Sequence, residues 1–140
     1  MVDAVTSQII VDGPRNAVME FTNISDGTGE SNVVKVTPAN LSAGSILFGA
    51  PVQVAIKCIK FSTKGMGVII RWQGTPSIPL FIIAPDKTDE VHFHHFGGLV
   101  SPSGLVAGTG RITFSTVDAG AAASYSIVLD MRKKYEIAAF

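Results

Sequence analysis

A chain of 140 residues with 46% hydrophobic and only 16% charged side chains is long enough to bury one core of its own and too apolar to stay disordered. Eleven basic residues balance eleven acidic ones, for a net charge of zero, which excludes the basic face that nucleic-acid binders use to displace counterions. The single cysteine, Cys58, excludes an internal disulfide.

A hydrophobic period of two dominates the chain, and no stretch sustains a helical period. Ser7 to Asp12 reads as a short apolar strand ended by Gly13-Pro14. Asn16 to Asn23 alternates, with Ala17, Met19 and Phe21 on one side and Val18 and Glu20 on the other. Asp26 to Gly29 is a turn, and Asn32 to Thr37 resumes extended structure before Pro38. Ala39 to Ala50 is compatible with a loop or a single helical turn. The clearest strand follows, with Val52, Val54, Ile56 and Cys58 on one face and Gln53, Ala55, Lys57, Ile59 and Phe61 on the other. Lys64 to Gly67 turns the chain into Val68, Ile70 and Trp72, which alternate with Ile69, Arg71 and Gln73. Pro79 to Pro85 and Glu90 to Phe96 are further strands, and Gly97 to Gly110 is a long glycine-rich loop. Arg111 to Val117 and Ser124 to Lys134 close the chain, joined by the small-residue linker Asp118 to Ala123. In the last strand Tyr125, Ile127, Leu129 and Met131 oppose Ser126, Val128, Asp130 and Arg132.

Eight to nine short strands with this turn chemistry, and no alternation of strand with helix, predict an all-β fold: an antiparallel β-sandwich or jelly roll. One domain is expected over residues 1–140, with 1–8 as an N-terminal arm and 135–140 as a C-terminal tail. The start, Met1 to Gln8, lacks a positive region followed by an apolar run. The longest apolar stretches fall far short of the ~20 residues of a membrane helix. The chain therefore reads as soluble and unprocessed, with neither membrane nor nucleic acid among its partners.

Few motifs carry chemistry. His92 and His94 in VHFHHFGG share one strand face, about 7 Å apart along the strand, while His95 points the other way. Such a pair can share a zinc ion if Asp86, Asp89 or Glu90 completes the set; a polar strand face, or a structural or pH-sensitive subunit contact, is the plainer reading of the histidines. Cys58, on the face of Val54 and Ile56, reads as a buried inert thiol. Ser103 lacks the glycine pattern of a nucleophile elbow, and the DGTGE turn lacks calcium-loop spacing. Trp72, Arg71 and Tyr125 could form a sugar platform only if exposed together; a core Trp72 is the plainer reading. No catalytic residue, cofactor or metal is assigned.

Three features point to assembly. The neutral, low-charge composition, with a mean hydropathy of +0.37, implies an exterior partly covered by a partner. The one basic cluster, Arg132 to Lys134, is answered by Asp130 and Glu136. The glycine-rich loop carries Leu99, Val100, Leu105 and Val106, and the tail YEIAAF carries Ile137 and Phe140; these six are the expected interface residues, since apolar terminal segments stay ordered only when docked.

The segment QIIVDGPRNAVMEFTNISDGTGE, the FGG at 96–98, TGRITFST and the closing YSIVLDMRK together resemble small all-β virion proteins of tailed bacteriophages, the head decoration or cement proteins. His92, His94, His95 and the YEIAAF tail depart from that pattern. The resemblance implies a homotrimer seated on the major capsid protein at the capsid surface, made in the host cytoplasm. Such a protein bridges capsid subunits and holds the shell against internal DNA pressure, without turnover or cofactor. A tail, neck or fibre-base protein is the alternative within the virion, and a carbohydrate-binding sandwich the alternative outside it.

Overall fold

A computed structural model describes residues 4–13, 16–27, 29–38, 41, 53–74, 77–93, 98–99, 111–117 and 120–134. These residues form nine strands and no helix: β1 (Ala4–Asp12), β2 (Asn16–Asp26), β3 (Val33–Val36), β4 (Gln53–Lys64), β5 (Gly67–Trp72), β6 (Ile78–Ile83), β7 (Thr88–His92), β8 (Ile112–Val117) and β9 (Ala121–Lys134). They build an antiparallel sandwich of two sheets, ordered β1-β2-β9-β4-β7 and β3-β8-β5-β6.

The pairing is nested. β2 pairs with β9, β3 with β8, β4 with β7 and β5 with β6, and successive pairs alternate between the two sheets. A long antiparallel ribbon folded at the β5–β6 turn and rolled up gives this order, which is that of a jelly roll. β1 lies outside the nest. It pairs with β2 through a hairpin closed by the Gly13 amide donating to the Asn16 carbonyl (2.9 Å), and among the described residues no fifth strand of the other sheet faces it.

Alternation delivers the core as the sequence predicts for most strands. Ala17, Met19 and Phe21 of β2, Val68, Ile70 and Trp72 of β5, and Tyr125, Ile127, Leu129 and Met131 of β9 are all buried. At the centre Phe114 of β8 meets Phe21 edge-on at 5.2 Å and Tyr125 at 5.9 Å between ring centroids, a geometry that aligns ring edge with ring face.

Four expectations need correction. Residues 4–8 are not a free arm, because β1 begins at Ala4 and pairs with β2 in unbroken register from Ala4↔Ile24 to Ile9↔Met19. β9 likewise begins at Ala121, inside the stretch read as a linker. In β4, Ile56 pairs with Met131 and Cys58 with Asp130, so Lys57 is a one-residue bulge. A bulge reverses the facing of everything after it. Ile59 therefore turns into the core beside Val54 and Ile56, whereas Cys58 moves to the outer face, where it is still buried. Lys133, finally, does not belong to a surface basic cluster: it sits on the inward face of β9, 4% exposed, and pairs with Asp12 at the end of β1.

A second buried ion pair joins the connection between β2 and β3 to β3 itself. Glu30 and Lys35 meet at 2.6 Å with side chains 5% exposed. The Glu30 carboxylate also accepts the Tyr125 hydroxyl (2.6 Å) and the Asn23 amide (2.9 Å). Two hydrogen bonds on Oε1 and the Lys35 ammonium on Oε2 make burial of that charge tolerable, and they tie the two sheets together.

Candidate functional site

Much of the exposed apolar surface of the described residues lies at the β1 and β3 edges of the sandwich, with Ile82 of β6 (64% exposed) and Val117 of β8 (40%) apart from it. Ile9, Ile10 and Val11 are 47%, 50% and 46% exposed. They sit on a strand whose outer hydrogen-bonding edge has no ladder partner among the described residues. Three consecutive apolar residues cannot all face one core at a period of two, and the bulge between Ile9 and Val11 adds Ile10 as the unpaired residue. Val33 and Val34 of β3, the edge strand of the other sheet, are 39% and 38% exposed. Between these edges runs a groove of about 380 Å³ bounded by Ile9 and Val34, with Met19 and Leu41 buried beneath it and Lys35 and Ser7 beside it. The groove exists because the five-stranded sheet overhangs the four-stranded one by β1.

Of the six expected interface residues, Leu99 is described. It is half-buried against the core and forms an isolated bridge with Ile56, each amide donating to the other's carbonyl at 2.8–2.9 Å. Part of its side chain remains exposed. Val100, Leu105, Val106, Ile137 and Phe140 lie outside the described residues, as do His94 and His95. Gly98 of the FGG motif has a φ of +98°, and a Cβ there would stand 2.9 Å from the Ile56 carbonyl oxygen. Only glycine lets the backbone approach β4 so closely.

The sugar platform does not form. Trp72 is 3% exposed, in the core. Arg71 projects from the opposite face of β5 and donates to Ser115 Oγ (2.9 Å) and Asn32 Oδ1 (3.1 Å). Tyr125 is buried, with its hydroxyl on Glu30.

At the other end of the five-stranded sheet, the bulge in β4 assembles a cluster that the sequence pattern concealed. Cys58 stands directly across from His92 of β7, with Glu90 two residues earlier on the same face. One ligand atom of each of the three lies within 4.8 Å of the others. His92 Nε2 and a Glu90 carboxylate oxygen are in direct contact, and Lys60 Nζ is 3.8 Å from Glu90. Burial pushes the Cys58 thiol above its ordinary pKa; Glu90 and Asp130 push it the same way, and Lys60 opposes them. No strand pattern could have shown this grouping, because it depends on a one-residue insertion in register.

No protein-family model matches the chain, and no curated protein is detectably similar to it in sequence.

Proposed function

We propose that this chain is a structural protein of a tailed-phage virion, a head decoration or cement protein that joins further copies of itself and bridges capsid subunits. The observation that carries the reading is the nine-residue edge strand β1, with Ile9, Ile10 and Val11 about half exposed beside a groove that Ile9 and Val34 line together with the polar Ser7, Lys35 and Thr37. An exposed apolar edge is a pairing template that stable monomers usually blunt. Strand addition on β1 would satisfy its open ladder, and side chains from the partner would fill the groove. The jelly-roll order adds support by analogy, since capsid proteins use that architecture, as do lectins. The sequence resemblance and the low-charge composition point the same way.

The mechanism is burial. Each subunit added to the shell removes apolar surface from water at about 25 cal/mol per Å², less the cost of ordering and immobilisation. The reading assigns no turnover to the protein.

Light scattering of the purified chain at two concentrations tests the self-assembly: a mass near three times 14.7 kDa is expected, and a monomer at both concentrations overturns a pre-formed trimer. Antibodies against the chain, viewed on intact phage particles by electron microscopy, test the location. Label over the heads is expected; label on tails transfers the role to a tail protein, and absence of label overturns the virion reading.

A further inference from the structure

We propose that Cys58, His92 and Glu90 form a zinc-class metal site on the outer face of the five-stranded sheet, at the β7 edge. The three donors come from two adjacent strands held in fixed register by the Cys58↔His92 pair and its neighbour Lys60↔Glu90. Their ligand atoms already lie within 4.8 Å of one another. Around a tetrahedral zinc, with bonds of about 2.0–2.3 Å, such atoms would stand roughly 3.3–3.6 Å apart. The remaining movement is about one ångström, and the side chains that must make it are the mobile ones. His92 and Glu90 have side chains 45% and 44% exposed, while Cys58 is buried and fixed by the strand on either side.

The donor chemistry selects the metal. Thiolate, imidazole and carboxylate together suit zinc, or cobalt as its spectroscopic substitute; they suit neither calcium nor magnesium, which take oxygen ligands. The local charge agrees. Glu90 faces Cys58 from β7, and Asp130 faces it from β9, with Lys60 the cation beside Glu90. A divalent cation bound here would offset the two carboxylates that face the sulfur. On binding, the metal–sulfur bond forms as the thiol proton leaves to solvent, and the Glu90 oxygen exchanges its contacts with His92 and Lys60 for the metal. Three protein ligands leave one position of a tetrahedron for water.

The chain stripped with chelator and titrated with cobalt should develop a thiolate-to-cobalt charge-transfer band together with the visible bands of a tetrahedral ion, saturating at one equivalent. Zinc should then bleach both. Cys58→Ser should abolish the charge-transfer band. His92→Gln and Glu90→Gln, at exposed positions that spare the core, should each weaken zinc binding at least tenfold in competition with a chromophoric chelator. His94→Ala combined with His95→Ala should leave the charge-transfer band in place. The proposal is overturned if no such band appears in the parent chain, if zinc affinity is the same in Cys58→Ser, or if the His94/His95 variant alone loses the metal. None of these readouts depends on whether the chain assembles.

Discussion

The five-stranded sheet ends in two unlike strands. β7 is five residues long, and Thr88, Asp89, Glu90 and His92 are exposed along it. β1 is nine residues long and places Ile9, Ile10 and Val11 about half in water. A short, charged edge resists pairing with another chain because a partner strand would have to desolvate the charges, whereas a long apolar edge gains by being covered. The same sheet therefore carries one edge that resists pairing with another chain and one that would gain by it. β1 owes its position to lying outside the nested strand pairs, and β7 is the outermost partner of β4 within them.

The comparison can be broken most forcefully at the buried anchor of β1. Lys133→Ala removes the buried ammonium from the partly exposed Asp12 carboxylate, and breaking a buried pair in this way costs up to about 3–5 kcal/mol. Chemical denaturation should report the loss, and amide exchange should show β1 opening before the rest of the sheet. Next in size is the apolar edge itself. Ile9→Lys with Val34→Lys places two cations across the groove and should weaken self-association by roughly a hundredfold or more, as loss of two interface anchors does. Light scattering checks this, and an unchanged melting temperature would show that the monomer fold survives. The reciprocal change, Asp89→Val with Glu90→Val, removes the charges from β7 and should produce larger, polydisperse aggregates in the same measurement.

Smaller effects sharpen the β7 side. Gly98→Ala forces a side chain into a positive φ against the Ile56 carbonyl and should cost about 1–3 kcal/mol in denaturant. The smallest is a pH effect. The Cys58 thiol holds its proton more tightly in the folded state than in the unfolded chain, chiefly through burial and then through Glu90. Its contribution to stability is therefore complete below the ordinary thiol range and lost as pH rises through the elevated folded value. Melting temperatures of the parent should fall more steeply than those of Cys58→Ser above that range, and alkylation of Cys58 in the native chain should need higher pH than alkylation of the unfolded chain.

Much of this architecture is legible in the residues. Alternation in β2, β5 and β9 identifies Phe21, Ile70, Trp72, Ile127 and Leu129 as core, and the structure buries every one of them. Turn residues separate the strands, and their number suffices to predict an antiparallel sandwich. Strand ends are less legible. β1 starts at Ala4 and β9 at Ala121 because a neighbouring strand offers ladder partners there, and a partner far along the chain leaves no mark on local composition.

The amino-acid sequence by itself determined the all-β class, the inward faces of the regular strands and the neutral, low-charge composition, since these follow from side-chain period and residue counts. Only the tertiary structure decided which strands pair, that β1 overhangs its sandwich, that Lys133 is an interior cation, and that the Lys57 bulge sets Cys58 beside His92 and Glu90. Those outcomes rest on register between segments distant in the chain. A shift of one residue exchanges the two faces of a strand without changing a single letter of it.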